Sequence, residues 1–280
     1  MKLAEAADQS SLPEGVKLPD EIRRREDRLA AIAAAKAKIE ARAAERFARE
    51  QTEHQAKLAA RAKKEAETGK KPKGKGPKPP QGGPRAGDQI NLTDEESQIM
   101  PVSGGGFEQS YNAQAVVDTE SMLILATHVT QATNDKEQIA PMLAKVQSNP
   151  EALNRPATWL ADTGYYSEKN VTACIAAKIE PLIAVGRDAH HPDWRERFSE
   201  PEPLVEGASA VETMKHRLKT RAGRAAYALR KQTVEPVFGI IKSVMGFRQF
   251  LLRGLDNVTN EWTLVCLAWN LKRMAVLRPQ

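Results

Sequence analysis

The segment from residue 69 to residue 87, GKKPKGKGPKPPQGGPRAG, constrains the fold of this chain more than any other feature. Proline removes backbone donors and glycine adds conformational freedom, so this composition favours neither a helix nor a strand. It predicts a flexible basic linker over residues 69–90. The chain should therefore divide into a helical segment at residues 1–68 and one globular domain at residues 91–280.

The N-terminal segment is dense in Ala, Glu, Lys and Arg, and its apolar residues recur at helical spacing. This pattern predicts a long helix over residues 20–67. Arg25, Lys36 and Arg46 interrupt the apolar stripe, so a solvated helix or a weak helical hairpin is a better interpretation than a sustained coiled coil. Homodimer formation through this helix is an alternative.

Charge and apolar content limit the classes of protein to which the chain can belong. A formal net charge of +6 favours polyanionic partners, although the imbalance is modest. Cys174 and Cys266 stand far apart in apolar segments, which predicts buried thiols in a reducing compartment. No signal peptide precedes the polar start, and the apolar stretch at residues 262–271 is too short to cross a bilayer. We expect a cytoplasmic protein without a membrane function.

Beyond residue 91, apolar runs of strand length alternate with helical patterns, as is typical of α/β domains. Residues 111–118 and 122–130 predict two strands of an antiparallel hairpin. Asn134 and Asp135 are candidate caps for a following helix, which presents an apolar face. That face is formed by Ile139, Leu143 and Val146.

The rest of the domain continues this alternation. Residues 157–161 predict a buried strand, Ser167 caps a helix that extends to residue 177, and residues 182–185 predict another strand. Residues 188–207 predict a loop, in which His190 and His191 have no nearby cysteine and are interpreted as surface side chains. The chain beyond this loop should be mainly helical, with Trp262 and Trp269 in the core.

Asp162 is the first candidate functional residue, because it ends the strand at residues 157–161 and precedes the glycine-bearing turn of LADTGYYS. Strand ends of α/β sheets lie at a crevice, where a rigidly held carboxylate can bind a divalent cation through hard oxygen ligands. The alternative is an Asx turn, since aspartate is common just before glycine in turns.

Glu235 is the second candidate, within YALRKQTVEPVFGIIK at residues 227–242. It is the only acid between Lys215 and Arg253, a stretch with ten lysines and arginines. Such isolation predicts a metal ligand or a carboxylate within a basic network against phosphates, and a structural ion pair is the alternative. Pro236 predicts a kink or a restart of the helix. Helical spacing gives a chemical side, Tyr227, Lys231, Glu235, Phe238 and Lys242, and a core side, Val237, Ile240, Ile241 and Val244.

Four segments together resemble the DDE transposases of bacterial insertion sequences, over roughly residues 88–277. They are NLTDEESQIM, FEQSYNAQAVVDTESMLILATHVTQATND, WLADTGYYS and YALRKQTVEPVFGIIKSVMGFRQFLLRG. The resemblance implies an α/β fold with a ribonuclease H-like mixed sheet flanked by helices. It also implies that strand-end aspartates and a helix-borne glutamate bind two Mg²⁺ or Mn²⁺ ions. Asp162 matches the second aspartate of the family and Glu235 matches its glutamate.

The resemblance further implies DNA as the partner, through the terminal inverted repeats of the element. The family has a Tyr-x2-Arg-x3-Glu-x6-Lys signature whose residues bind DNA around the glutamate. Here four residues, rather than three, separate Arg230 from Glu235, and Lys231 occupies the shifted position, so either basic residue can have the family role. The predicted DNA-binding residues are Tyr227, Arg230, Lys231, Lys242, Arg248 and Arg253.

The first aspartate of the family lies on the first strand of its core, ahead of a long helical insertion and a Thr-Asp segment that resembles Thr93-Asp94. The helix at residues 20–67 resembles that insertion, which implies an N-terminally truncated copy that lacks the first strand. Asp94 and Asp118 are the available substitutes, but they are more simply a turn or cap residue and a hairpin residue. We therefore expect a transposase with weak or absent activity, and the alternative is a non-catalytic DNA-binding remnant.

Overall fold

The computed structural model describes residues 18–70, 74–102, 105–150, 156–186 and 199–278. His190 and His191, with part of the predicted loop, lie outside the described residues. The chain divides into two compact units, the first ending at Glu95 and the second beginning at Glu96. None of the helices in the described part combines the length and the apolar character needed to cross a membrane.

The first unit contains helix α1 (Leu18–Thr68), which confirms the predicted long helix as one element rather than a hairpin. The proline- and glycine-rich segment forms no helix or strand where it is described. It runs back along α1, since Arg61 donates to the carbonyl of Gly74 and His54 lies 3.2 Å from the carbonyl of Pro77. The flexibility of residues 69–90 stays a prediction.

The second unit begins with two antiparallel hairpins. Strand β1 (Gln98–Pro101) pairs with β2 (Phe107–Ser110), and β3 (Asn112–Val117) pairs with β4 (Ile124–Thr130). The second pair confirms the predicted hairpin. Asp118 closes its turn, because its carboxylate accepts hydrogen bonds from the backbone N–H and the hydroxyl of Ser121, at 2.7 and 2.6 Å.

A parallel pair follows, formed by β5 (Thr158–Ala161) and β6 (Glu180–Ile183). A short 3-10 helix (Thr163–Tyr165) and helix α3 (Glu168–Ala176) connect the two strands, and the predicted Ser167 cap of α3 is confirmed by its hydrogen bond from Asn170 N–H. Strand β6 begins two residues before the predicted strand at 182–185. Pairing starts earlier than the apolar run because Glu180 N–H already donates to the carbonyl of Ala157.

Helix α2 (Ile139–Gln147) buries Ile139, Leu143 and Val146, as the apolar pattern predicts. The predicted caps are wrong. Gln138 occupies the N-cap position without a side-chain cap hydrogen bond. Asp135 instead accepts hydrogen bonds from side chains of β3, and these long-range contacts outcompete the local cap.

Three helices complete the second unit: α4 (Ala210–Lys219), α5 (Arg221–Ser243) and α6 (Leu255–Leu277). A capping box of Ser209 and Glu212 starts α4. Thr220 ends α4 and caps α5, accepting a hydrogen bond from Gly223 N–H. Helix α5 passes through Pro236 as one element, so Pro236 does not mark a restart.

The β3–β4 hairpin lies between two apolar clusters. One includes Ile139 and Trp159, and the other includes Val258 and Trp262. Trp262 and Trp269 are buried as predicted, and their ring N–H groups donate to the carbonyls of Gln114 and Met122. Both cysteines are buried, and burial raises the pKa of each thiol to about 12.

The described residues thus form a mixed α/β architecture with antiparallel and parallel strand pairs. The expected continuous mixed sheet is not present among them. Instead, the six strands that the structure describes form three separate two-stranded sheets.

Candidate active site

Asp162 lies at the end of β5, where the strand turns into the 3-10 helix. Its carboxylate accepts a hydrogen bond of 2.8 Å from Gly164 N–H, so the side chain caps the turn. The predicted Asx-type interaction is therefore real, but it involves only Oδ1. The other oxygen, Oδ2, lies 3.9 Å from Nη1 of Arg230 on helix α5.

Glu235 lies five residues after Arg230 on the same helix, and its Oε1 is 3.4 Å from Nη2 of Arg230. The guanidinium of Arg230 thus bridges the strand-end carboxylate and the helix-borne carboxylate. Arg230 is mostly buried, with 18% of its side chain exposed, whereas Asp162 and Glu235 are 49% and 57% exposed. The two candidate acids meet within the span of one guanidinium group, at the surface.

Arg230 is held in this position by its neighbours. Its guanidinium lies over the ring of Tyr227, with 5.8 Å between the guanidinium carbon and the ring centroid. Its Nε is buried and has no hydrogen-bond partner among the described residues. A buried donor without an acceptor is costly, so this arrangement of Arg230 is held against a loss of hydrogen-bonding free energy at Nε.

The sequence left Arg230 and Lys231 as alternatives, and in the structure these two side chains have different surroundings. Arg230 faces the carboxylates, while Lys231 is exposed one helical step away. Lys231 has no carboxylate within ion-pair distance among the described residues, and the same is true of three other predicted DNA-binding residues. Those three, also exposed, are Lys242, Arg248 and Arg253.

The predicted division of α5 into two sides holds only in part. Val237 and Ile241 are buried as predicted, but Val244, which was assigned to the core side, is 65% exposed. Phe238 was assigned to the chemical side, yet its ring stacks on Trp262 with centroids 5.6 Å apart. The apolar cluster around Trp262 thus contacts Phe238 on the predicted chemical side and leaves Val244 at the end of the helix uncovered.

Asp135 is a residue near the site that the sequence interpretation missed. Its Oδ1 accepts hydrogen bonds of 2.8 Å from the side-chain amides of Asn112 and Gln114. A Cβ placed on Gly164 would lie 3.0 Å from Oδ1 of Asp162 and 3.3 Å from Oδ2 of Asp135. The glycine therefore lets the two carboxylates flank the turn after β5.

Tyr165 connects this network to the hairpin, because its hydroxyl donates to the side-chain carbonyl of the buried Gln114. Burial raises the pKa of the Tyr165 phenol well above its usual value, and the negative charges of Asp135 and Asp162 raise it further. The phenol therefore stays protonated and acts as a donor. The local sequence contains no signal for this network, since the hydrogen bonds of Asp135 and Tyr165 to β3 join residues more than twenty positions apart.

Asp118, one of the two proposed substitutes for a third carboxylate, forms no three-carboxylate cluster with Asp162 and Glu235. Asp118 is engaged by Ser121 in the hairpin turn, and although burial opposes ionisation, these hydrogen bonds lower its pKa on balance. Asp94 belongs to the first unit. Asp118 is thus a residue of the hairpin turn, which confirms the simpler of its two predicted roles.

The carboxylate oxygens of Asp162 and Glu235 are hard donors of the kind that Mg²⁺ and Mn²⁺ prefer. By donor chemistry the pair fits a divalent ion, which would take its remaining ligands from water or a substrate phosphate. No cluster of three or more His, Cys, Asp or Glu residues that could hold a metal occurs in the described part of the chain.

The family model described as Transposase DDE domain matches residues 93–271, which is well over half of the chain and includes both Asp162 and Glu235. No curated protein and no solved structure matches the chain.

Proposed function

The chain belongs to the transposase DDE-domain family, which acts on DNA, and we propose that it derives from an insertion-sequence transposase that cleaves and joins DNA strands. Such transposition is a form of DNA recombination, carried out by metal-dependent phosphoryl transfer at the ends of the element. The observation that supports this role is the convergence of Asp162 and Glu235 on the guanidinium of Arg230.

In this proposal Asp162 and Glu235 hold the divalent ion, Mg²⁺ or Mn²⁺. A bound ion supplies the Lewis acid that activates the attacking oxygen and stabilises the leaving oxygen. The chain itself positions the two carboxylates. Strand β5 and the Gly164 N–H fix Asp162, while α5 carries Glu235. Arg230, which balances both acids here, is well placed to contact a DNA phosphate beside them, since guanidinium groups bind phosphate oxygens in pairs.

We further propose that the activity of this chain is impaired. Two-metal phosphoryl transfer needs enough carboxylates to fix both ions, and each lost ligand weakens affinity and disturbs geometry. Asp118 is engaged in its hairpin turn, and Asp135 already accepts two amide hydrogen bonds through one oxygen. The pair Asp162 and Glu235 is then expected to hold one ion weakly.

Metal binding and strand cleavage test this proposal separately. We expect weak Mn²⁺ binding, measured by electron paramagnetic resonance, that disappears in Asp162→Ala and in Glu235→Ala. Nicking of DNA that carries the inverted repeats flanking the gene should be weak at best and should depend on the same two residues. Asp256→Ala, at an exposed carboxylate in the first turn of α6, is the control and should retain both properties. Robust cleavage that survives Asp162→Ala would overturn the proposal.

The alternative is a non-catalytic DNA-binding remnant, which the exposed basic residues of α5 and the following loop favour. Each of four exposed residues, Lys231, Lys242, Arg248 and Arg253, can neutralise a phosphate without giving up an ion pair to another described residue. This function predicts DNA binding that depends steeply on salt and not at all on Mg²⁺. Each lysine replaced by alanine should reduce the slope of log affinity against log salt by about one. DNA affinity that rises with Mn²⁺ and falls in Glu235→Ala would favour the catalytic function instead.

A further inference from the structure

The turn that follows Asp162 is held in place by hydrogen bonds of Tyr165. Tyr165 is the last residue of the short 3-10 helix, which begins directly after Asp162 and contains Gly164, the donor to its carboxylate. The Tyr165 hydroxyl donates to Oε1 of Gln114 on β3, and the Tyr165 carbonyl accepts a hydrogen bond of 2.6 Å from Nδ2 of Asn170. Both of these amide side chains are buried. The side chain and the backbone of Tyr165 are therefore each fixed by a buried partner.

Asp135 determines which way the amide of Gln114 points. A glutamine amide has an oxygen that accepts and a nitrogen that donates, whereas a carboxylate only accepts. Nε2 of Gln114 donates to Oδ1 of Asp135 at 2.8 Å and to Oδ1 of Asn112 at 2.7 Å. Asp135 also holds Asn112, whose Nδ2 donates to the same carboxylate oxygen at 2.8 Å. Asp135 therefore attracts the nitrogen of Gln114 and leaves its oxygen for the hydroxyl of Tyr165.

The second connection from Tyr165 leads to the residue after Asp135. Nδ2 of Asn170 donates to the carbonyl of Lys136 at 2.8 Å as well as to the carbonyl of Tyr165. The two connections from Tyr165 thus end at consecutive residues in the segment between β4 and α2. A turn that is bound at two points to one short segment moves only if several hydrogen bonds break together.

Asp135 lies beside the same turn as Asp162. The two carboxylates flank Gly164, since a Cβ on this residue would lie 3.0 Å from Oδ1 of Asp162 and 3.3 Å from Oδ2 of Asp135. Within the described ranges, however, Asp135 does not complete a group of three metal-binding side chains with Asp162 and Glu235. An effect of Asp135 on a bound cation is therefore exerted through the position of Asp162.

We propose that Asp135 is a positioning residue for the carboxylate of Asp162. It acts through Gln114 and Tyr165, which hold the turn whose Gly164 N–H binds Oδ1 of Asp162. Loss of a residue that orients a metal ligand typically lowers metal affinity about tenfold to a hundredfold. The inference rests on the proposed function, in which Asp162 holds the divalent ion, and it adds to that site a residue that itself contacts neither the ion nor DNA.

Mn²⁺ titrations of the full chain, followed by electron paramagnetic resonance, compare two substitutions of Asp135. Asp135→Ala removes the acceptor of both amides, so Mn²⁺ affinity should fall about tenfold. Asp135→Asn keeps an oxygen that can accept both hydrogen bonds and removes only the charge. Its Mn²⁺ affinity should stay within about threefold of that of the unaltered chain, which is the effect of one screened charge at this range. Equal affinities in the two variants, whether high or low, would overturn the inference.

A destabilising variant elsewhere in the second unit separates positioning from general loosening. Asn270→Ala removes two hydrogen bonds of 2.8 Å to the backbone of Ile124 at the start of β4, and neither residue contacts the turn after Asp162. It should lower the free energy of unfolding. We expect its Mn²⁺ affinity to equal that of the unaltered chain. A loss of affinity as large as that of Asp135→Ala would overturn the inference, because any loosening of the unit would then have the same effect.

Hydrogen exchange without metal tests the positioning directly. The Gly164 N–H should exchange about fivefold faster in Asp135→Ala than in the unaltered chain and at the unaltered rate in Asp135→Asn. Tyr165→Phe breaks the same connection by removing one hydroxyl, and it should speed this exchange equally if Asp135→Ala does not fold. An unchanged rate in these variants would overturn the inference. Absence of Mn²⁺ binding by the unaltered chain would instead contradict the proposed function, and exchange at Gly164 would still decide whether Asp135 holds the turn.

Discussion

Arg230 is the residue that contacts both candidate metal ligands. Its guanidinium lies between Asp162 and Glu235, so a cation entering the site competes with a residue of the chain. The contacts of 3.9 and 3.4 Å are at the surface, where such ion pairs contribute little because water screens them. The competition is therefore weak enough for a metal ion or a phosphate to change it.

Arg230→Ala should strengthen Mn²⁺ binding about threefold to fivefold, because it frees both carboxylates from a competing cation. Lys231→Ala is the matched control, since it removes the same charge from the next residue, which contacts neither acid. Mn²⁺ titrations followed by electron paramagnetic resonance give both affinities. Equal effects in the two variants would indicate a general change of charge and would contradict the specific competition.

Tyr165→Phe should lower the free energy of unfolding of the second unit by about 1–2 kcal/mol. The change leaves the side-chain carbonyl of Gln114, which is buried, without its hydroxyl donor. Tyr166→Phe is the control, because the Tyr166 hydroxyl has no comparable hydrogen bond to any residue that the structure describes. Urea unfolding followed by tryptophan fluorescence measures both variants. An unchanged midpoint in Tyr165→Phe would show that the network around Gln114 does not contribute to stability.

The sequence identified individual site residues where neighbouring residues in the chain point to them. Asp162 could be found because a strand, an acid and a glycine follow one another, and Glu235 because it is alone in a basic stretch. Asp135 could not be found, because its partners Asn112 and Gln114 are distant in sequence. The choice between Arg230 and Lys231 also required the fold, since only packing decides which of two adjacent helical residues turns toward β5.

The junction of helices α4 and α5 sets the position of α5, the helix that carries Arg230 and Glu235. Gly223 lies in the first turn of α5, and a Cβ there would lie 1.9 Å from the backbone carbonyl of Arg217 in α4. No side chain can be accommodated at that distance without moving one helix. The close approach of the two helices therefore requires glycine at this position.

Gly223→Ala should destabilise the second unit by about 1–3 kcal/mol, as overpacking against backbone does. Gly239→Ala in the same helix is the matched control, because a Cβ there meets nothing within 4 Å. The control should instead stabilise the unit by about 0.5–1 kcal/mol through helix propensity. Thermal unfolding by circular dichroism distinguishes the two signs. A stabilising effect of Gly223→Ala would show that α4 and α5 do not approach as closely as the structure has them.

The sequence predicted which segments are helices and strands more reliably than it predicted which residues each of them contacts. The hairpin, the covering helix and the strand before Asp162 were predicted from apolar periodicity, which reports burial directly. Near Trp262 and Trp269, however, α6 exposes three leucines, Leu264, Leu267 and Leu271. Periodicity identifies apolar residues but does not state which of them find a partner. The cap of α2 failed for a related reason, because a tertiary hydrogen bond to Asp135 replaced the local one.

Because the chain divides into two units, each unit has its own free energy of unfolding. The second unit has two apolar clusters, whereas the described residues of the first unit form a single helix against a segment without regular structure. A lone helix gains little from burial, so polar contacts matter more to the first unit. One of these contacts is the pair Arg46 and Asp88, which is joined by hydrogen bonds of 2.6 and 2.9 Å.

Acidification should release the segment that contains Asp88 from α1. The hydrogen bonds from Arg46, followed by that from the Arg85 N–H, lower the pKa of Asp88 from 3.8 to about 2. Because the pKa is depressed in the folded state, the stabilisation is fully present above about pH 4 and is lost as the pH falls toward 2. Hydrogen exchange of residues 74–95 should therefore accelerate, beyond its intrinsic pH dependence, in this window. Asp88→Asn should exchange faster at neutral pH and show no such transition, and a transition that persists in this variant would assign the effect to other carboxylates.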